Sequence, residues 1–136
     1  MTNYDVLVDS DAFIGYIVES DAHHHNAKTL FNRAMQQRLA LATTNYVIAE
    51  TASTLSRRFT QTHAKRFMDT MENFLTIYIP KDVHLKSSEL FKAQDKNKTS
   101  FVDMSNVVVM KHFAIKKIFA FDKIYVERFS LPKFTQ

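Results

Sequence analysis

Four carboxylates stand out by position. Asp9 closes the apolar run Tyr4–Val8, Glu50 lies within Thr44–Arg58, Asp103 follows Ser100 by three residues, and Asp122 closes Lys117–Phe121. Acids brought within a few ångströms of one another repel until one takes up a proton. Sites rich in carboxylate oxygen are instead the habitat of Mg²⁺ and Mn²⁺, hard cations that keep several waters. A cation held this way polarises a phosphoryl oxygen and generates hydroxide for in-line attack. The chemistry these residues point to is metal-assisted phosphoryl cleavage.

Such residues need a scaffold, and the chain supplies one by alternation. Tyr4–Val8, Leu39–Ala42, Thr76–Ile79 and Lys117–Phe121 read as short apolar strands. Between them Ala12–Glu19, Ala22–Arg38, Thr44–Arg58, Thr62–Leu75, Asp82–Gln94 and Ser100–Phe113 read as helices. In the second of these, Leu30, Phe31, Ala34 and Met35 recur at spacings of three and four. The most polar loop is DKNKTS, before Ser100–Phe113. Strands separated by helices argue for an α/β sandwich on a mainly parallel sheet of four to five strands. In such a sheet the strand C-termini and the following helix N-termini share one edge, where ligands bind. The topology therefore predicts that Asp9, Glu50, Asp103 and Asp122 converge on one rim.

Each acid also has a plainer reading. Asp9 and Asp122 are suited to cap the helices that follow. Ser100–Asp103 (SFVD) fits a variant capping box, and Glu50 fits a solvated helix face. Asp103 breaks the tie. Val102, Val107, Val108, Val109, Met110 and Phe113 make its helix apolar nearly all round, so it should be buried. A buried carboxylate needs a partner or a metal, and no Lys or Arg stands one turn away on its face. The run His23–His25 is read as an exposed loop or helix start, because consecutive helical residues point in different directions. His63, His84 and His112 are scattered and carry no assignment. Phe and Tyr sit mostly at core spacings. Arg57–Arg58 and Lys116–Lys117 read as solvated faces, the first pair close enough to Glu50 to line a phosphate path.

Composition narrows the field. At 136 residues with 46% hydrophobic and 24% charged content, one domain spanning 1–136 closes a core without staples. The absence of cysteine excludes disulfide frameworks, zinc-thiolate fingers and thiol nucleophiles. A single glycine, Gly15, excludes phosphate loops and dinucleotide fingerprints, which need several. The net charge is +4; setting the four acids aside leaves 18 cations against ten acids, a basic surround fit for polyanions. The opening MTNYDVLVDSD carries acids where a secretory leader needs cations, and no apolar run reaches membrane-spanning length. A cytoplasmic protein with no membrane partner is expected.

These residues together match a known pattern. VLVDSDAFIGYI resembles the opening of PIN-domain ribonucleases, where a hydrophobic strand ends in Asp and a small polar residue. NYVIAETAS resembles the segment carrying the family's second acid, here Glu50. SFVDMSNVVVMKHFAIKKIFAFDKIY resembles the block holding the third and fourth, Asp103 and Asp122. The resemblance runs from Val6 to about Phe129. It implies a Rossmann-like three-layer α/β/α sandwich and Mg²⁺- or Mn²⁺-dependent endoribonuclease activity. Asp9, Glu50, Asp103 and Asp122 would be the metal-binding, catalytic acids. It further implies a VapC-like toxin of a toxin–antitoxin pair, with an RNA substrate, a homodimer and an antitoxin partner. Two positions depart from the pattern. Ala120 replaces the Thr or Ser that often precedes the last acid by two. Asp11 replaces Asn or Ser, adding either a fifth metal ligand or a helix cap.

Two other readings compete. Asp9-Ser10-Asp11 fits the DxD opening of haloacid-dehalogenase-like phosphatases, but the closing acid pair and glycine-rich turn of that family are missing. A non-catalytic PIN-like module binding RNA or protein would be favoured by loss of an acid, and all four are present.

Overall fold

Val6, Leu7 and Val8 form an uninterrupted apolar run, which suits a strand covered on both faces. They make β1 (Val6–Val8), fully buried at the centre of the sheet. The protein is described here by a computed structural model covering residues 4–135. β2 (Leu41–Thr44) and β4 (Lys117–Phe119) flank β1, and β3 (Leu75–Ile77) pairs outside β2. All three ladders are parallel, with Leu7 opposite Ala42 and Ile118. Strand alternation sends Val6, Val8 and Phe119 into one core and Leu7 and Ile118 into the other.

The helices divide accordingly. α1 (Ser10–Ile17), α2 (His24–Gln36), α3 (Asn45–Arg58) and α4 (Gln61–Met71) contribute Phe13, Leu30, Leu55 and Phe67 to the first core. α5 (Lys81–Lys92), α6 (Phe101–His112) and α7 (Ile124–Phe129) contribute Val83, Val107, Met110 and Tyr125 to the second. The result is the expected three-layer α/β/α sandwich. Among the described residues no helix is long and apolar enough to cross a membrane.

Where boundaries differ from expectation, polar contacts account for it. The second strand is shifted by two residues, to Leu41–Thr44 from the expected Leu39–Ala42. There the buried Thr43 hydroxyl donates to Val8 O at 2.9 Å, and Thr44 caps α3 by accepting from Val47 N. β4 stops at Phe119, short of Phe121, because the N–H groups of Phe121 and Asp122 turn to the carboxylate of Asp11. α7 has no counterpart in the sequence reading: six residues are too few to establish a helical period. Beyond it the chain returns along β4, where Phe134 N donates to Ile118 O at 2.8 Å, forming a single further parallel bridge.

Candidate active site

Parallel pairing of β1 with its neighbours brings the chain segments after each strand to one edge. Asp9 leaves β1 as the N-cap of α1, its Oδ1 accepting from Ser10 N at 2.8 Å. Its own N–H donates to Phe119 O at 3.0 Å, which locks it beside the β4 exit. Glu50 sits in α3, directly after β2. Asp103 lies in the first turn of α6, where the Ser100 hydroxyl accepts from Asp103 N. Asp122 follows β4 in the turn before α7, whose N-cap is Lys123, and its Oδ1 accepts from Ile124 N at 2.9 Å. The capping reading holds for Asp9 alone: α6 is capped by Ser100 and the N-cap of α7 is Lys123, while all four acids lie toward the same rim.

The meeting is visible in their electrostatics. Asp9 is only 3% exposed, and this burial above all raises its pKa. Hydrogen bonds from Tyr125, Ser10 and Asn106 oppose that rise, and the charge of Asp122 adds to it. Asp103 is pushed up to about 7, first by burial and then by the charge of Asp9, with Glu50 and Asp122 contributing. Glu50 is raised by burial and by Asp9, partly offset by a hydrogen bond with Ser10. Four acids from distant segments thus sit in one another's fields.

Two polar residues that sequence reasoning passed over organise them. The Tyr125 hydroxyl lies 2.7 Å from Asp9 Oδ2 and 2.9 Å from Asp103 Oδ1, and accepts from Asn106 Nδ2 at 3.0 Å. Asn106 Nδ2 also reaches Asp9 Oδ1 at 3.1 Å. Burial and the two acid charges hold the Tyr125 phenol above its ordinary pKa, so it keeps its proton. A phenol donates one hydrogen bond only. Satisfying both contacts therefore requires a proton on one of the carboxyls, in keeping with their upward shifts. Asn106 carried a signal: it is a buried amide on an otherwise apolar helix and needs partners. Tyr125 carried none, since an aromatic residue in an apolar stretch reads as core.

Tyr125→Phe tests this arrangement. Phe keeps the ring packing and leaves Asp9, Asp103 and Asn106 without their shared partner. We expect a loss of about 1–3 kcal/mol in urea unfolding at pH 7. Unchanged stability would show that the hydroxyl does not hold the acids.

Asp11 is neither a helix cap nor solvent-facing. Its Oδ2 accepts from Phe121 N and Asp122 N, both at 2.9 Å, across 110 positions of sequence. Burial and the charge of Asp9 push its pKa up to about 7, and its Oδ1 is buried without a hydrogen-bond partner. It ties the loop of Asp122 to α1. Within the His23–His25 run, His24 Nδ1 contacts Gly15 O at 2.8 Å, and His23 stacks on Phe121 with ring centroids 4.2 Å apart.

The donor set is all oxygen, which suits a hard cation. As the side chains stand, no group of three or more acids or histidines among the described residues is arranged to hold one ion. Asp9 and Asp103 are turned onto Tyr125, so binding a cation would require them to re-aim.

The family model of the PIN domain matches residues 6–129. The chain belongs to the PIN domain family. As a PIN domain it is similar to solved structures from three organisms. One is VapC20 of Mycobacterium tuberculosis, described as a sarcin–ricin loop cleaving toxin: 24% identity, 88% of this chain and 91% of that one covered, TM-score 0.77. A second is a toxin–antitoxin complex from Klebsiella pneumoniae: 13% identity, 92% of each chain covered, TM-score 0.64. A third is PAE2754 of Pyrobaculum aerophilum: 16% identity, 97% and 90% covered, TM-score 0.55. At these identities the likeness establishes the PIN fold. A search of curated protein sequences finds no match.

Proposed function

We propose that this PIN domain is a Mg²⁺- or Mn²⁺-dependent endoribonuclease acting as the toxin of a toxin–antitoxin pair. The observation that carries the reading is the gathering of Asp9, Glu50, Asp103 and Asp122 at one sheet edge with their carboxyl pKa values raised at three of them. Negative charge concentrated in this way is unfavourable for the fold and is relieved by a divalent cation. Those four residues would hold it. When bound, such an ion polarises a phosphoryl oxygen and supplies hydroxide near neutral pH.

The chain's own residues do the rest. Tyr125 and Asn106 orient Asp9 and Asp103. Asp11 positions Asp122 by holding its backbone, a role that serves the site without a fifth metal contact. The N-termini of α1 and α6 favour negative charge on Asp9 and Asp103. An antitoxin partner belongs to the same reading, supported by the toxin–antitoxin complex among the similar folds, and a homodimer is proposed with it. Exposed apolar side chains at Leu75, Tyr78 and Leu85 offer surface for association, checked by light scattering.

Incubating the protein with total RNA, and with a sarcin–ricin loop oligonucleotide, tests the activity. Cleavage is expected with Mg²⁺ or Mn²⁺ and is expected to stop with EDTA. Cleavage that persists in EDTA would remove metal dependence, and no cleavage of any RNA would remove the enzyme.

A further inference from the structure

A cavity of about 350 Å³ adjoins the acidic rim, lined by Lys96, Lys98, Lys123 and Arg128 together with Asp103 and Asp122. Its walls come from three places: the loop between α5 and α6, the first turn of α6, and the segment from Asp122 into α7. Asp103 and Asp122 belong to both the cavity and the candidate active site, so whatever fills the cavity lies alongside the cleavage position. Glu127 also lines it, and the cations outnumber the acids.

Of these cations Arg128 is braced by hydrogen bonds, while Lys96, Lys98 and Lys123 are exposed. Arg128 is half-buried, and its Nη1 donates to Gln94 Oε1 at 3.2 Å and Thr99 Oγ1 at 3.4 Å, bracing the guanidinium. Thr99 Oγ1 in turn donates to Lys96 O at 2.7 Å, closing the loop turn. Within that turn Lys98 has φ 64°, a left-handed conformation that glycine or asparagine adopts at less cost. Lys98 lines the cavity from a turn whose backbone glycine would adopt at less cost.

We propose that this cavity is a subsite for an RNA backbone phosphate adjacent to the one cleaved, held by Lys96, Lys98, Lys123 and Arg128. The proposal rests on the ribonuclease reading and names where its substrate runs. RNA is favoured over an acidic protein segment because the cavity shares two acids with the cleavage site, across which the substrate must lie. Phosphates on that path meet cations where the rim alone would repel them.

The test measures binding of a labelled single-stranded oligoribonucleotide to Asp9→Asn, which separates binding from cleavage. Adding Lys96→Gln, Lys98→Gln and Lys123→Gln should weaken binding about tenfold or more at 150 mM salt. It should also flatten the dependence of log affinity on log salt by about 0.7, the contribution of one neutralised phosphate on a single strand. A second variant, Lys98→Gly in the same background, should bind more weakly without a fall in Tm, because glycine accepts the turn. Unchanged affinity and slope in both variants would overturn the subsite and leave the ribonuclease standing. Failure of Asp9→Asn to bind RNA, with no cleavage by the unmodified protein, would overturn both. Loss of poly-glutamate binding with RNA affinity intact would assign the cavity to an acidic protein and overturn the proposal.

Discussion

Asp9→Asn is expected to abolish RNA cleavage while leaving the fold intact. The structure explains why both halves should hold. Asparagine is as good an N-cap as aspartate, so its Oδ1 still accepts from Ser10 N. Its Nδ2 takes the place of the oxygen facing Tyr125 and donates to the phenol, whose proton is then free for Asp103 Oδ1. Every hydrogen bond in the buried cluster has a donor and an acceptor, and only the charge is lost. A carboxylate ligand contributes several kcal/mol of charge stabilisation, so the rate should fall about a thousandfold or more. Cleavage of RNA in Mg²⁺ is the measurement, with circular dichroism and Tm as the control. Activity at the unmodified level in a folded Asp9→Asn protein would remove Asp9 from the site.

Stability of the metal-free protein is expected to fall as pH rises from about 5 to about 8. Asp11 and Asp103 are pushed up to about 7, and Asp9 and Glu50 are raised in the same direction. Between the ordinary carboxylate range and neutrality, the folded chain keeps protons that the unfolded chain has released. The folded state then binds more protons, and stability declines with pH. The contribution is complete below the ordinary carboxylate pKa and is lost as pH passes about 7.

Asp103→Asn should remove part of this dependence. Its amide oxygen still accepts from Tyr125, and the helix cap is supplied by the Ser100 hydroxyl rather than by the Asp103 carboxylate. Removing one charge from the cluster should gain on the order of 1 kcal/mol at pH 8 in EDTA, or roughly 2–5 °C in Tm for a domain of this size. At pH 5 the gain should be small, because Asp103 is already protonated there. Saturating Mg²⁺ should raise the Tm of the unmodified protein by mass action and that of the variant much less. Scanning fluorimetry at both pH values, with EDTA and with Mg²⁺, separates the cases. A Tm that drops at pH 8 in EDTA would make the Asp103 carboxylate a structural element and exclude it from the charged cluster.

Much of the architecture was legible in the chain itself. Strand and helix periods are local properties, so the apolar runs at Tyr4–Val8 and Lys117–Phe121 and the helices between them could be read without partners. The acids were legible for the same reason: Asp9 and Asp122 stand just after strands, Asp103 in the first turn of α6 and Glu50 in the second turn of α3, and parallel topology sends those positions toward one edge. Asp103 was expected to be buried on its apolar helix, and the structure leaves it half-buried at the rim.

What tertiary structure alone decided are contacts between distant residues. Asp11 takes the N–H groups of Phe121 and Asp122, and that bond, formed across 110 positions, both ends β4 early and holds Asp122 at the rim. Tyr125 binds Asp9 and Asp103 from a short helix that no periodicity revealed. Thr43 extends β2 because Val8 O is there to accept its hydroxyl. In each case a polar group is placed by a partner far along the chain, and only the folded structure brings the two within hydrogen-bond reach. The apolar pattern specifies which surfaces must be buried. Which polar atoms meet inside the resulting rim depends on how the layers pack, and that packing converts four acids from separate segments into one charged cluster.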